Sequence, residues 1–200
     1  MKNAYDNLGD YEVKAIDSAE KRLVIARESK DCQIPLCWEL GSLGNTYLSL
    51  NDDAKALDYH QQSLVIARES KDLKWVCWAL ENLGSAYTSF CDYAKAIDYQ
   101  QQSLVIAREI KDRQIEVRVL GNLGRAYTSL GDYAKAIDYQ QQSLVIARKI
   151  NDLYTEAEAL EALGNAYTSL GDYAKAIEYA QQWLAIAREI KDYESAADAC

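Results

Sequence analysis

One histidine, His60, and five cysteines, Cys32, Cys37, Cys77, Cys91 and Cys200, are the side chains of this 200-residue sequence best suited to nucleophilic, redox or metal chemistry. Their spacing argues against all three. A lone imidazole cannot be matched by position to a serine or cysteine nucleophile. The cysteines are odd in number and form no CxxC pair of the kind that holds zinc. No GxxxxGK[ST], HExxH or glycine-rich phosphate loop occurs. Cys37 and Cys77 fill the same slot in two similar tracts, which predicts buried or half-buried thiols in a reducing compartment, not a disulfide framework. His60 is expected at the surface of its helix. The residues therefore point away from an enzyme, and no cofactor or metal is expected.

Side chains that recognise are better represented than side chains that react. Trp38, Trp78, Arg118 and Arg125 belong to the types that most often anchor interfaces. Asn45, Asn82, Asn122 and Asn165 carry amides that can grip an extended backbone through donor and acceptor together. Ser85 and Glu158 complete the candidate set. What gives these ten residues meaning is the framework in which they recur.

That framework is a repeat. Residues 131–150, GDYAKAIDYQQQSLVIARKI, copy residues 91–110 with two changes. An LG pair recurs at Leu43-Gly44, Leu83-Gly84, Leu123-Gly124 and Leu163-Gly164, a spacing of 40 residues. Each unit predicts two helices. In the first, exemplified by Glu116–Leu130, Leu120, Leu123, Gly124 and Tyr127 fall on one helical face. The second runs from about Tyr133 to Ile150, with Ala136, Ile137, Leu144, Ile146 and Ala147 as its apolar face. Gly131-Asp132 makes the turn between them, glycine supplying positive φ. Asp112, Asp152 and Asp192 suit N-caps at the next turn, and Pro35 suits a helix start. A glycine inside a helix costs about 1 kcal/mol relative to alanine. Four glycines at the phase of Gly124 therefore predict a close helix crossing, with the Ala136 class facing them. Thirteen of the fifteen tyrosines fall in three repeat phases, which assigns them to packing.

The order Leu123-Gly124-x-x-Tyr127, Gly131-x-Tyr133, Ala136, Ser143-Leu144 resembles the tetratricopeptide repeat (TPR), over essentially the whole chain. The 40-residue period and Arg148 in place of the usual closing proline resemble the long-repeat subclass of bacterial (notably cyanobacterial), Pins-type and kinesin-light-chain proteins. The resemblance implies an all-α, right-handed solenoid of antiparallel helix pairs, a superhelix with a concave groove lined by the first helices that binds partner peptides. On this reading residues 1–200 form a single array of about five repeats, with partial first helices at 1–8 and 193–200.

The second helices are nearly constant between copies and the first helices are not. A helix turns about 100° per residue, so the direction opposite the core in residues 116–130 is held by Arg118, Gly121, Asn122, Arg125 and Ser129. Their counterparts include Trp38 and Asn45, then Trp78, Asn82 and Ser85, then Glu158 and Asn165. The candidate groove thus runs from aromatic through cationic to acidic. The lysines that a chaperone-type carboxylate clamp would need are replaced by Gly41, Glu81, Gly121 and Glu161. The expected partner is a protein or peptide segment with apolar and acidic residues, the acidic part lying over Arg118 and Arg125.

A formal net charge of −9 disfavours nucleic acid. No apolar run is long enough for a membrane span, and no signal-peptide pattern opens the chain, so a cytoplasmic protein is expected. Two other functions compete with a peptide-binding scaffold. One is a structural module assembling head to tail through its terminal half-helices, with Trp183 at an interface with whatever follows. The other is the ligand-sensing part of a signalling protein.

Overall fold

A computed structural model of the chain describes residues 16–26 and 33–198, with side chains described as far as Lys191. Among the described residues every regular element is an α-helix. α1 covers 16–26. It is followed by α2 Gln33–Ser49, α3 Asp53–Ser70, α4 Leu73–Ser89 and α5 Tyr93–Glu109. Then come α6 Arg113–Leu130, α7 Tyr133–Ile150, α8 Leu153–Ser169 and α9 Tyr173–Asp198. The chain divides into two compact units, Met1–Tyr99 and Gln100–Cys200, with the boundary inside α5.

The helices begin where aspartates cap them. Asp52, Asp112, Asp132 and Asp152 each accept a hydrogen bond from the backbone N–H three residues on, at 3.1–3.2 Å. Such caps are worth about 1 kcal/mol apiece. Because Asp112 is the cap, α6 starts at Arg113, a turn earlier than the apolar face alone suggests. Turns within a helix pair use left-handed backbone: φ is +84° at Gly131 and +79° at Gly171, but +59° at Cys91 and +57° at Asn51. The turns between pairs place Lys71, Lys111 and Asn151 at φ of +55° to +58°. A lysine has no local preference for that conformation, so the packing of the following helix must hold it there. Lys191 occupies the same phase, yet α9 continues without interruption to Asp198. The cap expected at Asp192 is therefore not formed. The first-helix fragment expected at 1–8 lies outside the described residues. Residues 193–198 belong to α9.

In the first unit α1, α2 and α3 share a core of Ala19, Leu23, Leu40, Leu43, Tyr47 and Ala56, and α4 packs on α3 and α2. Arg22 Nε ties α1 to α2 by donating to both oxygens of Glu39 at 2.9 Å. In the second unit α7 packs between α6 and α8, and α9 packs on α8. Ile137 and Leu144 of α7 join Ala159, Leu160, Leu163, Ala166 and Tyr167 of α8 and Ala176 of α9 in one buried cluster. Full burial of each such leucine is worth about 1.5–3 kcal/mol.

The tyrosines pack as expected, in stacked pairs inside each helix pair. Tyr47–Tyr59, Tyr87–Tyr99, Tyr127–Tyr139 and Tyr167–Tyr179 have ring centroids 5.4–5.5 Å apart and planes within 8° of parallel. A lysine ammonium covers the first ring of each pair at 4.7–5.0 Å.

Three expectations need correction. His60 is not at the surface: it is 0% exposed. Cys91 is exposed, because it occupies a turn, whereas Cys37 and Cys77 are buried as expected. The close crossing is real at Gly44 and Gly124, but the residue facing these two is not of the Ala136 class; at Gly164 the nearest atom is the carbonyl oxygen of Ala176, which is of that class, at 3.7 Å. A Cβ on Gly124 would come within 2.6 Å of Gln140 Cδ, and one on Gly44 within 2.5 Å of His60 Cε1. Gln140 and His60 share one repeat phase, a helical turn beyond the alanine. In α3 the histidine fills the space that a glutamine amide fills in α7, and is buried for that reason.

Candidate functional site

Within the second unit, α6 and α8 face each other across a cleft floored by α7. Arg118, Gly121, Arg125 and Ser129 lie at i, i+3, i+7 and i+11 on α6 and so share one face. Glu158, Glu161, Ala162 and Asn165 supply the opposing wall from α8. Gln140 and Ser143 rise from α7 to close the bottom of a cavity of about 610 Å³. The floor is fastened to α6: Gln140 Nε2 donates to the Gly121 carbonyl at 3.1 Å, and Ser143 Oγ donates to the Val117 carbonyl at 3.1 Å. Sequence reasoning assigned the second helices to scaffold and so missed these two floor residues. Their repetition between α5 and α7 is a signal of packing, and a groove floor is packing and surface at once.

The α6 wall is cationic and the α8 wall acidic. Arg125 Nη1 donates to Glu158 Oε2 at 3.5 Å, and its Nη2 donates to Asn122 Oδ1. Both charged side chains are more than half exposed, at 56% and 68%. An ion pair this open is worth little, of order 0–1 kcal/mol, and a ligand carboxylate can displace Glu158 at small cost. Arg118 is exposed on the same wall. Of the ten candidate residues, Arg118, Arg125, Glu158 and Asn165 line this one cavity, and Asn122 stands behind Arg125.

The other five candidates lie in the first unit. Trp38 and Trp78 stack with centroids 5.4 Å apart and planes at 17°. Trp75 meets both edge-on, at 6.3 Å and 5.4 Å. Trp75 shares its phase with Pro35, Ile115 and Thr155, so no periodicity singled it out. Gly41 makes room for the cluster, since an added Cβ would approach Trp78 Cζ3 to 2.6 Å. Trp38 remains 52% exposed. Asn45 and Ser85 are exposed. Asn82 is turned inward, with its Nδ2 buried and unpartnered, so it presents no amide donor to a ligand.

Burial lowers the pKa of His60 to about 4. Neither ring nitrogen has a hydrogen-bond partner. Among the described residues no group of three or more His, Cys, Asp or Glu could hold a metal ion, and no helix is long and apolar enough to cross a membrane.

The tetratricopeptide repeat family model matches residues 36–109, 75–149 and 116–189. No curated protein shows a significant sequence match. Among solved structures, a Podosopora anserina protein of nearly identical TPR-like repeats superimposes with a TM-score of 0.75 at 17% identity, covering 95% of this chain and 92% of that one. Aspartyl phosphate phosphatase F from Bacillus subtilis gives 0.80 at 20% identity, over 91% of this chain and 50% of that one. A Rap protein complexed with competence and sporulation factor gives 0.77 at 21% identity, over 96% and 53%. This chain thus spans about half the length of the last two. At these identities the likeness is one of fold.

Proposed function

The chain belongs to the tetratricopeptide repeat family, and on that premise we propose that it is a non-catalytic interaction scaffold whose second-unit groove binds a segment of a partner protein. One observation carries this reading. The cavity between α6 and α8 gathers the residues that vary between repeats, Arg118, Arg125, Glu158 and Asn165, over a floor of residues that do not vary between α5 and α7. A preformed, rigid surface limits the ordering cost of binding. The similar Rap protein was solved with a bound factor, which supports the same kind of use here. Arg118 and Arg125 favour a partner segment with acidic residues flanked by apolar ones. The buried thiols of Cys37 and Cys77 suit a reducing, cytoplasmic setting.

Selection of acidic–apolar peptides from a display library, with affinities read by fluorescence anisotropy, tests the proposal. Replacing Arg118→Glu and Arg125→Glu together should weaken the selected peptides at least ~10-fold, since each charge-assisted hydrogen bond contributes about 1.5–3 kcal/mol. Helicity and melting temperature should be unchanged. Equal affinity in the double variant would place the site elsewhere.

A second reading, assembly of copies, has its own observation. Ile137 and Leu144 of α7 are 8% and 6% exposed beneath α8, whereas their counterparts on α9, Ile177 and Leu184, are 58% and 45% exposed. A first-type helix from another copy would cover them as α8 covers α7.

A further inference from the structure

Two of the earlier helix pairs close a slot that α8 and α9 leave open. In α6 and α7, Gln140 lies across Gly124 and donates its amide to the Gly121 carbonyl at 3.1 Å. In α2 and α3, His60 lies across Gly44. The counterparts in the last pair are Gly164 and, in place of Gln140, Ala180. A Cβ added to Gly164 would meet nothing nearer than the Ala176 carbonyl oxygen at 3.7 Å and Tyr179 Cβ at 3.9 Å. A cavity of about 210 Å³ opens there, over Leu160, with Glu161, Asn165, Thr168 and Trp183 around it.

The walls specify an occupant. The Gly121 carbonyl accepts a side-chain N–H from Gln140; its counterpart by position is the Glu161 carbonyl, and the residue at the glutamine position, Ala180, has no side-chain N–H to give. Whatever enters the slot can therefore make the bond that Gln140 makes, if it carries an N–H donor. Glu161 adds an exposed carboxylate. Trp183 stands where the other copies have a serine and is 37% exposed, which offers an indole face. A cation with several N–H groups satisfies all three, by ion pairing, by donation and by attraction to the ring. A neutral amide satisfies only one of them, and a carboxylate is repelled.

We propose that the slot between α8 and α9 is a subsite for the cationic side chain, arginine or lysine, of a partner polypeptide. Only the polypeptide source rests on the proposed function; the selectivity for a cation does not. Glu161 and Asn165 line both this slot and the larger groove. A single segment can thus place an acidic residue over Arg118 and Arg125 and a basic one in the slot. Replacing Gln140's counterpart by alanine and serine by tryptophan in the same repeat turns a packed position into a receptor.

The experiment is a titration of the full chain followed by ¹⁵N–¹H correlation spectra. The Trp183 indole N–H signal is identified by its absence from Trp183→Ser. The probes are the acetyl amides of arginine, lysine, glutamine and glutamate. Saturable shifts of that signal are expected with the arginine or lysine compound and not with the other two. Ala180→Gln rebuilds the plug that α7 already carries and should abolish the response while leaving melting unchanged or raised. Glu161→Gln should weaken it at least ~3-fold, as expected for loss of a partly exposed charge contact. No saturable shift with either cationic probe, an equal response to the glutamine amide, or a response that survives Ala180→Gln would each overturn the proposal. The Arg118→Glu/Arg125→Glu variant should keep the Trp183 response. Loss of peptide binding with that response intact tests the groove and the slot separately.

Discussion

His60 shows how much one substitution in a repeat can change. The other copies carry Gln100, Gln140 or Ala180 at this phase. A glutamine there can donate to the carbonyl of the facing helix, as Gln140 does. The imidazole fills the space but leaves both nitrogens unpartnered, so it stays neutral and its pKa falls to about 4. The sign follows from linkage. The unfolded chain binds a proton near pH 6.5 and the folded chain does not, so the stability is fully present above about pH 6.5 and is lost as the pH falls toward 4. The loss is about 3 kcal/mol over that window, at 1.36 kcal/mol per unit. His60→Gln should remove most of this slope and raise stability at pH 7. Urea denaturation of both proteins at several pH values measures it; parallel pH profiles would mean that His60 titrates normally.

Between elements, arginines near the ends of the second helices replace the proline that would close a shorter repeat. Arg148 Nε donates to Glu156 Oε1 at 2.7 Å, and its Nη2 to Gln182 Oε1 at 2.9 Å. One guanidinium thus joins α7 to α8 and α9. Arg108 repeats the arrangement, to Glu116 at 3.0 Å and Gln142 at 3.0 Å, so α5 is joined to α6 and α7. Glu116 and Glu156 are buried acids whose charge these arginines balance. The arginine side chains are about half exposed, so solvent screening limits the gain. Arg148→Ala is expected to cost about 1–2 kcal/mol, mainly by stranding the Glu156 carboxylate. Adding Glu156→Gln should recover part of it. A double-mutant cycle in urea shows whether the pair is coupled, and strictly additive losses would assign the cost to packing alone.

For the whole molecule, the open question of assembly has a physical handle in α9. Ile177 and Leu184 present apolar surface that its counterpart in α7 buries. If a second copy docks there, the weight-average mass should rise above 22.5 kDa with concentration. Ile177→Lys with Leu184→Lys should then restore the monomer mass, since a lysine cannot be buried unpaired. Static light scattering measures both. A constant monomer mass for the natural sequence up to high concentration rules the second copy out.

The sequence by itself determined the helix pairs, the caps at Asp112 and Asp152 and the phases that pack inward. Those properties are local or periodic, and Leu120, Leu123 and Tyr127 report them directly. Divergence between copies also singled out Arg118, Arg125, Glu158 and Asn165, positions of α6 and α8 that line one cavity. Only the tertiary structure decided which side chain meets which across a helix pair. The burial of His60, the plug that Gln140 forms over Gly124, the turning-in of Asn82 and the Arg125–Glu158 pair all depend on the separation and rotation of neighbouring helices. Helical periodicity tells which face is covered; it carries no information about the atom on the other side.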